Sequence, residues 1–165
     1  QLLFIDDPKY GEKFVAHFFT NVKRYIRGQV LVSFISAALT TIGLYVIGVP
    51  SALTLGILSF IGGFFPFVGL LFTAVPMYLL AFTSQGVKGM VWLTVVLVAV
   101  NQTESWFYGP RIQGNNLKIH WFVILLSIFI LGSVLGLAGV LLALPILIFA
   151  RDYWSFYVLR LRNEK

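Results

Sequence analysis

The chain has 165 residues, of which 59% are hydrophobic and 11% are charged, and its mean hydropathy is +0.91. Since an average soluble domain has about 25% charged residues, this composition excludes an ordinary soluble protein and predicts one that resides in a lipid bilayer. The net charge of +6 comes largely from basic residues that flank the apolar stretches, which indicates contact with lipid headgroups and no nucleic-acid partner.

Long uncharged stretches determine the predicted fold class. Residues 28–87, 89–103 and 121–150 contain no Asp, Glu, Lys or Arg, and about 20 apolar residues suffice for one helical crossing. They lack the regular alternation of apolar and polar residues that a membrane β-barrel needs. We therefore predict an all-α fold, a polytopic transmembrane helix bundle with two segments interrupted by Gly and Pro, in re-entrant or hairpin form.

Three regions are predicted along the chain. Residues 1–27 should form an amphipathic juxtamembrane helix, because apolar side chains recur every four residues from Phe14 to Ile26. Residues 28–150 should form a transmembrane domain of about four to five helices, and residues 151–165 a basic interfacial tail. The sequence begins with Gln1, so we expect a piece of a longer protein.

The first crossing is predicted over residues 29–47, followed by a turn over residues 48–51. Small and hydroxylated residues recur on this helix at spacings of three to four positions, namely Ser33, Ser36, Thr40 and Gly43. Small residues at that spacing let membrane helices approach closely. We interpret the stripe as a packing seam.

Residues 52–82 are too many for one straight crossing, and helix-breaking residues interrupt them at Gly62, Gly63, Pro66, Gly69 and Pro76. Because every backbone amide in lipid needs a partner, such a break must be shielded by protein or line a wet cavity. Two interpretations stay open: a plain hairpin without a ligand, and a discontinuous helix of the kind that carries transporter substrate sites. A short polar turn is predicted over residues 83–89.

The last apolar run, residues 121–150, is also interrupted, with a break expected near residues 132–139. The residues that indicate it are Gly132, Gly136, Gly139 and Pro145. The string GVLLALP at the end of this run is similar to GLLFTAVP in the earlier one. Paired interruptions in two parts of a chain favour a transporter core, although two short apolar strings also match by chance.

Glu104 is the single acidic residue between Glu12 and Asp152. A carboxylate within an apolar helix must face protein or water rather than lipid. A crossing from Gly89 to Tyr108 places Glu104 about 6 Å short of its far end, so it is either a binding residue or an interfacial one. We expect Gly109 and Pro110 to end this helix.

These motifs resemble the AI-2E family of transporters. The resemblance rests on Glu104 followed by Gly109-Pro110-Arg111-Ile112 and Gly114, on Leu117, Ile119 and His120, on GLAGVLLALP, and on the upstream strings Tyr25–Gln29, Gly48–Pro50 and Pro66–Gly69. It covers residues from about Phe14 to Tyr153. Trp121 and Ile119 depart from the usual Pro and Leu of the family pattern. Members resemble proteins about twice this long, which implies that the chain corresponds to their C-terminal half.

The resemblance implies export of a small hydrophilic solute, such as the quorum-sensing signal autoinducer-2, or Na⁺(Li⁺)/H⁺ exchange. In either case Glu104, Asn101 and Gln102 are the predicted substrate or ion ligands, and Arg111 is expected to bind substrate or, more simply, to pair with Glu104 across the turn. The protein is expected in a prokaryotic inner membrane with its C-terminus in the cytoplasm, where basic residues accumulate.

Other classes are less well supported by the residues. An intramembrane enzyme would need a nucleophile beside a base or paired His ligands, and HExxH is absent, so we expect no catalytic activity, cofactor or metal. The alternative from another class is a non-transporting membrane scaffold or inactive fragment. The oligomeric state stays open, with a homo-oligomer among the expectations.

Overall fold

A computed structural model describes residues 8–65, 68–113 and 120–155. Its helices are α1 (Pro8–Val46), α2 (Ala52–Gly62), α3 (Val68–Thr103), a π-helical turn (Glu104–Tyr108), α4 (Gly109–Gln113) and α5 (Trp121–Tyr153). These ranges contain no strand, which confirms the all-α prediction. Pro66, Gly114 and most of the predicted basic tail lie outside the described residues.

Three helical stretches are long and apolar enough to cross a membrane, judged by length and composition, within the described ranges: Gly11–Val46, Gly69–Ile112 and Phe122–Tyr153. The chain divides into two compact units, residues 27–116 and residues 1–26 with 117–165. α1 has no interruption at residue 27, so the predicted amphipathic segment and the first crossing belong to one helix.

The unit of residues 27–116 has an apolar core from the end of α1, α2 and α3. Leu44, Met77 and Leu93 are fully buried in it. After α1 the chain reverses through Gly48, whose φ of 72° is a left-handed conformation that glycine adopts without steric cost. The Gln85 side-chain amide donates to the backbone carbonyl of Ile47, just after α1. A carbonyl that the helix leaves without a backbone partner thereby accepts a side-chain hydrogen bond.

α3 folds back on itself at Gly86, where φ is 61° and ψ is −149°. The Tyr78 and Thr94 hydroxyls are 2.7 Å apart, although 16 residues of straight helix would separate them by about 24 Å. The two arms of α3 are therefore antiparallel, and Gly86 is their turn. The polar turn predicted over residues 83–89 is this reversal.

α5 also folds back, at Gly136, where φ is 60° and ψ is −141°. A Cβ built on Gly132 would lie 3.1 Å from Val140 Cγ2, whereas eight residues of straight helix span about 12 Å. Gly136 lies inside the region 132–139 where a break was expected. In the same unit, Phe14 at the start of α1 packs against Phe149 and Tyr153 at the end of α5.

The structure corrects the prediction of breaks at the two prolines, since Pro76 lies inside α3 and Pro145 inside α5. A proline removes one backbone donor from a helix, and membrane helices tolerate this where neighbouring groups satisfy the freed carbonyl. The described interruption between α2 and α3 follows Gly62 instead. Gly69 also lies within helix α3, where it serves as a contact point rather than a break.

Candidate functional site

Glu104 begins a π-helical turn that runs to Tyr108. The Gly109 N–H donates to the Glu104 carbonyl, five residues back, and π-bulges of this kind occur often at functional sites. The prediction that Gly109 and Pro110 end the helix is wrong, because the chain stays helical through Gln113. Pro110 has no backbone N–H to donate to a helical hydrogen bond. The wider π-helical turn just before it changes the hydrogen-bond register of the helix at that point.

The carboxylate of Glu104 is held by a hydroxyl from a distant helix. Ser36 Oγ on α1 donates to Glu104 Oε2 at 2.5 Å, and the Tyr108 hydroxyl lies 2.7 Å from the same Ser36 Oγ. Since Ser36 has one hydroxyl hydrogen and donates it to Glu104, its oxygen accepts from Tyr108. Tyr108, Ser36 and Glu104 thus form a directed chain of hydrogen bonds among half-buried side chains.

Close helix packing positions these three side chains. A Cβ added to Gly43 on α1 would overlap the side chain of Val96 on the second arm of α3, so the missing side chain permits the close approach. Ser36 lies seven residues before Gly43, and Glu104 lies eight residues after Val96. Because these two helices run antiparallel, the matching offsets bring Ser36 and Glu104 together. Ser33 and Thr40 are buried on the same stripe of α1, which confirms the predicted packing seam.

The end of α2 is bound to α1 about two turns from Ser36. Gln29 Nε2 donates to the Gly63 carbonyl at 2.6 Å and lies 3.4 Å from Ser33 Oγ. A carbonyl at the end of a broken helix has thereby gained a side-chain donor, as a chain break in lipid requires. Gln29, Ser33 and Ser36 follow one another at spacings of four and three residues, so a polar stripe on α1 connects the interrupted segment with Glu104.

The other predicted ligands do not reach the carboxylate. In the part of the chain that the structure describes, Asn101 and Gln102 are exposed and make no hydrogen bond to Glu104, and Arg111 is exposed and forms no ion pair with it. Gly136, Gly139 and Pro145 belong to the other unit. Gly62 and Gly63 adjoin the end of α2 that Gln29 binds.

Sequence reasoning missed the two hydroxyl partners. Tyr108 lies four residues after Glu104, a spacing that brings side chains together on a helix. This spacing in the sequence could have indicated that Tyr108 lies near Glu104. Ser36 is 68 positions from Glu104 in sequence, and its place in a stripe of small residues pointed to packing. Within the described ranges no group of three His, Cys, Asp or Glu side chains is arranged to hold a metal ion.

These features define a class of protein: a helical integral membrane protein in which an apolar helix carries a half-buried carboxylate that accepts a hydrogen bond from a serine hydroxyl. The profile of the AI-2E family transporters matches residues 5–158, and the chain belongs to this family. The family is one of transporters rather than enzymes.

Similar proteins come from distant bacteria. The chain is 41% identical over 157 residues to a protein of Thermotoga maritima named "Putative transport protein", and the match covers 95% of the chain and 48% of that relative. It is 31% identical over 156 residues to YrrI of Bacillus subtilis, covering 94% of the chain and 44% of YrrI. The chain thus spans about half the length of these relatives. No solved structure matches it significantly.

Proposed function

We propose that this chain forms part of a secondary transporter that exports a small hydrophilic solute across a prokaryotic cell membrane, with Glu104 in the binding site. The observation that supports this most directly is the Glu104 carboxylate, bonded by Ser36 and placed at a π-helical turn. A charged group inside an apolar span is costly and marks a transport pathway more often than a structural contact. The basic C-terminal end favours a cytoplasmic C-terminus.

The hydrogen-bond chain suggests how a solute binds. A hydroxylated molecule offers donors of the kind that Ser36 provides, so it can replace Ser36 on the carboxylate while Ser36 and Tyr108 keep bonding each other. Binding would then exchange one hydrogen bond for another rather than leave a buried charge unpaired. The exposed Asn101 and Gln102 lie within a turn of Glu104 and can act as further ligands after such a rearrangement.

Na⁺(Li⁺)/H⁺ exchange is the second candidate, and the same group supports it. One carboxylate with two hydroxyl oxygens in line is a set of hard oxygen ligands, which suits a small cation. An exchanger additionally needs a carboxyl that alternates between a proton and a cation. Glu104 is the acidic residue in the membrane span of this unit.

Reconstituted vesicles separate these candidates. Glu104→Gln keeps the size of the side chain and can still bond Ser36, but it has no negative charge to attract a cation and no carboxyl proton to exchange. We expect it to reduce efflux of labelled polyols by at least about tenfold, since a hydrogen bond to a charged group is worth about 1.5–3 kcal/mol. For an exchanger, it should abolish proton release driven by Na⁺ or Li⁺.

Ser105→Ala is the matched control, because Ser105 is the exposed neighbour of Glu104 in sequence. It should leave transport unchanged. Transport that is normal in Glu104→Gln would remove Glu104 from the mechanism. If the unmodified protein moves neither solute nor cation, with or without an ionophore, the scaffold alternative replaces this proposal.

A further inference from the structure

An open groove runs along the outer side of the second arm of α3, the arm that follows the turn at Gly86. Its volume is about 500 Å³, and it is lined by Val91, Thr94, Val95, Val98 and Ala99. Volumes of this size are typical of small-molecule sites. Val95 and Val98 are 50% and 55% exposed, whereas Leu93, on the opposite side of the arm, is fully buried. The groove therefore opens away from the core of this unit.

The hydroxyl that Thr94 contributes to the groove already has partners. Thr94 Oγ1 donates to the Met90 carbonyl at 2.9 Å and lies 2.7 Å from the Tyr78 hydroxyl. Since the hydrogen of Thr94 is used, its oxygen accepts from Tyr78. The other lining side chains are those of valine and alanine, so the groove suits a hydrocarbon chain.

Two amide side chains lie at one end of the groove. Asn101 and Gln102 follow Val98 by three and four positions, which places them on the same face of the helix. Both are exposed, and neither has a hydrogen-bond partner in the part of the chain that the structure describes. Because an amide without a partner is costly in apolar surroundings, this end of the groove needs a ligand with acceptor oxygens.

The position of these amides along the helix corresponds to the ester layer of a bilayer. The 20 residues from Gly86 to Trp106 cover about 30 Å, the thickness of the hydrocarbon core. Trp106 is 71% exposed, and tryptophan is enriched at the membrane interface. Gln102 lies about 6 Å inside the level of Trp106, where the ester oxygens of a glycerolipid meet its acyl chains. Arg111 is exposed beyond Trp106, in the headgroup layer, where its guanidinium attracts an anionic phosphate.

We propose that this groove binds one anionic glycerophospholipid from the leaflet at the Trp106 end of the arm. An acyl chain occupies the groove from Val98 towards Val91. The ester oxygens accept hydrogen bonds from the amides of Asn101 and Gln102, and the phosphate lies near Arg111.

A lipid fits this groove better than a further helix does. The lining residues span about 12 Å along the arm, and a helix segment of that length, 10–12 Å wide, fills roughly 1,000 Å³. This is about twice the volume of the groove. The lipid site is also separate from the proposed transport site, because the Glu104 carboxylate is bonded to Ser36.

Photo-crosslinking in vesicles tests the proposal with the full chain. The probe is a phosphatidylglycerol with a diazirine in the middle of one acyl chain, mixed in increasing fractions into phosphatidylcholine vesicles that contain the protein. Mass spectrometry of the peptides then identifies the labelled residues. The internal control is the exposed apolar face of the first arm of α3, which consists of Leu71, Phe72, Val75 and Leu79.

Labelling of residues 91–99 should saturate at a low fraction of the probe, whereas labelling of the first arm should rise in proportion to it. The same diazirine on phosphatidylcholine should need an about fivefold higher fraction for equal labelling of the groove, since one basic residue near the surface contributes about 1 kcal/mol to the attraction of an anionic lipid. Equal saturation by both lipids would contradict the preference for an anionic headgroup.

Variants assign the site. Asn101→Leu combined with Gln102→Leu should reduce labelling of the groove at least about fivefold, because the ester oxygens lose their donors. Val95→Phe should reduce it by filling the groove, and Val75→Phe on the first arm is the matched control that should leave it unchanged. Circular dichroism checks the folding of each variant, and saturation in the unmodified protein is decisive even where a variant fails to fold.

The proposal is overturned if labelling of residues 91–99 rises in proportion to the probe, as contact with bulk lipid does. It is also overturned if these residues stay unlabelled while the first arm is labelled, since another protein segment then covers the groove. Saturable labelling that persists in the folded double variant contradicts the role of the amides. Because the readout is lipid binding, failure of the transport proposal leaves this result unaffected.

Discussion

Gly69 shows how a single missing side chain sets a helix contact. A Cβ at this position would overlap the carbonyl oxygen of Gly62 at the end of α2. Backbone atoms cannot move aside as a flexible side chain can, so the contact depends on glycine. The residue therefore connects α2 and α3 across the interruption that follows Gly62.

Gly69→Ala should accordingly lower the free energy of unfolding by about 1–3 kcal/mol, the usual cost of forcing extra atoms into a packed site. The measurement is thermal unfolding in detergent, followed by circular dichroism. Gly11→Ala is the control, since a Cβ there meets nothing within 4 Å, and an added methyl in an open helical position is neutral or slightly stabilising. Equal melting temperatures for the two variants would contradict the described contact.

The sequence singles out individual residues where composition alone isolates them. Glu104 stands out because its surroundings contain no other acid, and the polar string around Gly86 predicted a turn without any knowledge of packing. Asp152 falls within the predicted basic tail, and the sequence does not indicate its burial or its hydrogen bond with Asn21, a residue 131 positions away. Long-range partners of this kind leave no periodic signal in one sequence.

At the scale of elements, α5 is two helical arms joined by one residue. The arms pack closely around Gly136, and a Cβ on Gly132 would lie 3.1 Å from Val140 Cγ2. From sequence, the Gly-rich string over residues 132–139 indicated an interruption but not its geometry. A left-handed φ at Gly136 reverses the chain direction, whereas a helix kink at Pro145 would not.

A cysteine pair tests the reversal directly. The sequence contains no cysteine, so Gly132→Cys combined with Val140→Cys provides the only thiols. We expect a disulfide on mild oxidation, because a disulfide needs Cβ atoms about 3.5–4.5 Å apart. The control pair, Ile124→Cys with Gly132→Cys, has the same separation in sequence but lies on one arm, where it spans about 12 Å.

Mobility on non-reducing gels after protease cleavage between the two cysteines reports the bond. A disulfide in the control pair would mean that oxidation does not report the native geometry. The absence of a disulfide in the test pair would mean that α5 crosses as a continuous helix. Such a helix would have no turn at Gly136 and no separate short arms.

At the scale of the whole molecule, the two hairpin turns differ in chemistry. The turn at Gly86 is flanked by exposed polar side chains, Ser84, Gln85 and Lys88. The turn at Gly136 is flanked by Val134 and Leu137, which are 73% and 68% exposed. Transfer of apolar surface out of water is favourable by a free energy of about 25 cal/mol per Å². The turn at Gly86 therefore suits the aqueous interface, and the turn at Gly136 suits lipid or protein surroundings.

The length of the two arms of α5 also favours a location of the Gly136 turn in lipid or protein surroundings. The arms of α5 on either side of Gly136 are roughly 22–26 Å long at 1.5 Å per residue, which is less than the bilayer core of about 30 Å. We therefore predict that a hairpin of this length with an apolar turn enters the membrane from one side without emerging on the other. The re-entrant form stays a prediction for the α5 hairpin, whereas the first hairpin has a turn that water can solvate.

Thiol labelling distinguishes these two placements in the native, cysteine-free background. Ser84→Cys should react with a membrane-impermeant maleimide in open membrane sheets, where both faces are accessible. Val134→Cys should react at least about tenfold more slowly, because a thiolate forms only in contact with water. Denaturation in detergent should make both thiols equally reactive, which shows that each is present and intact. Rapid labelling of Val134→Cys in membranes would place the Gly136 turn in water and would require the α5 hairpin to cross the full bilayer.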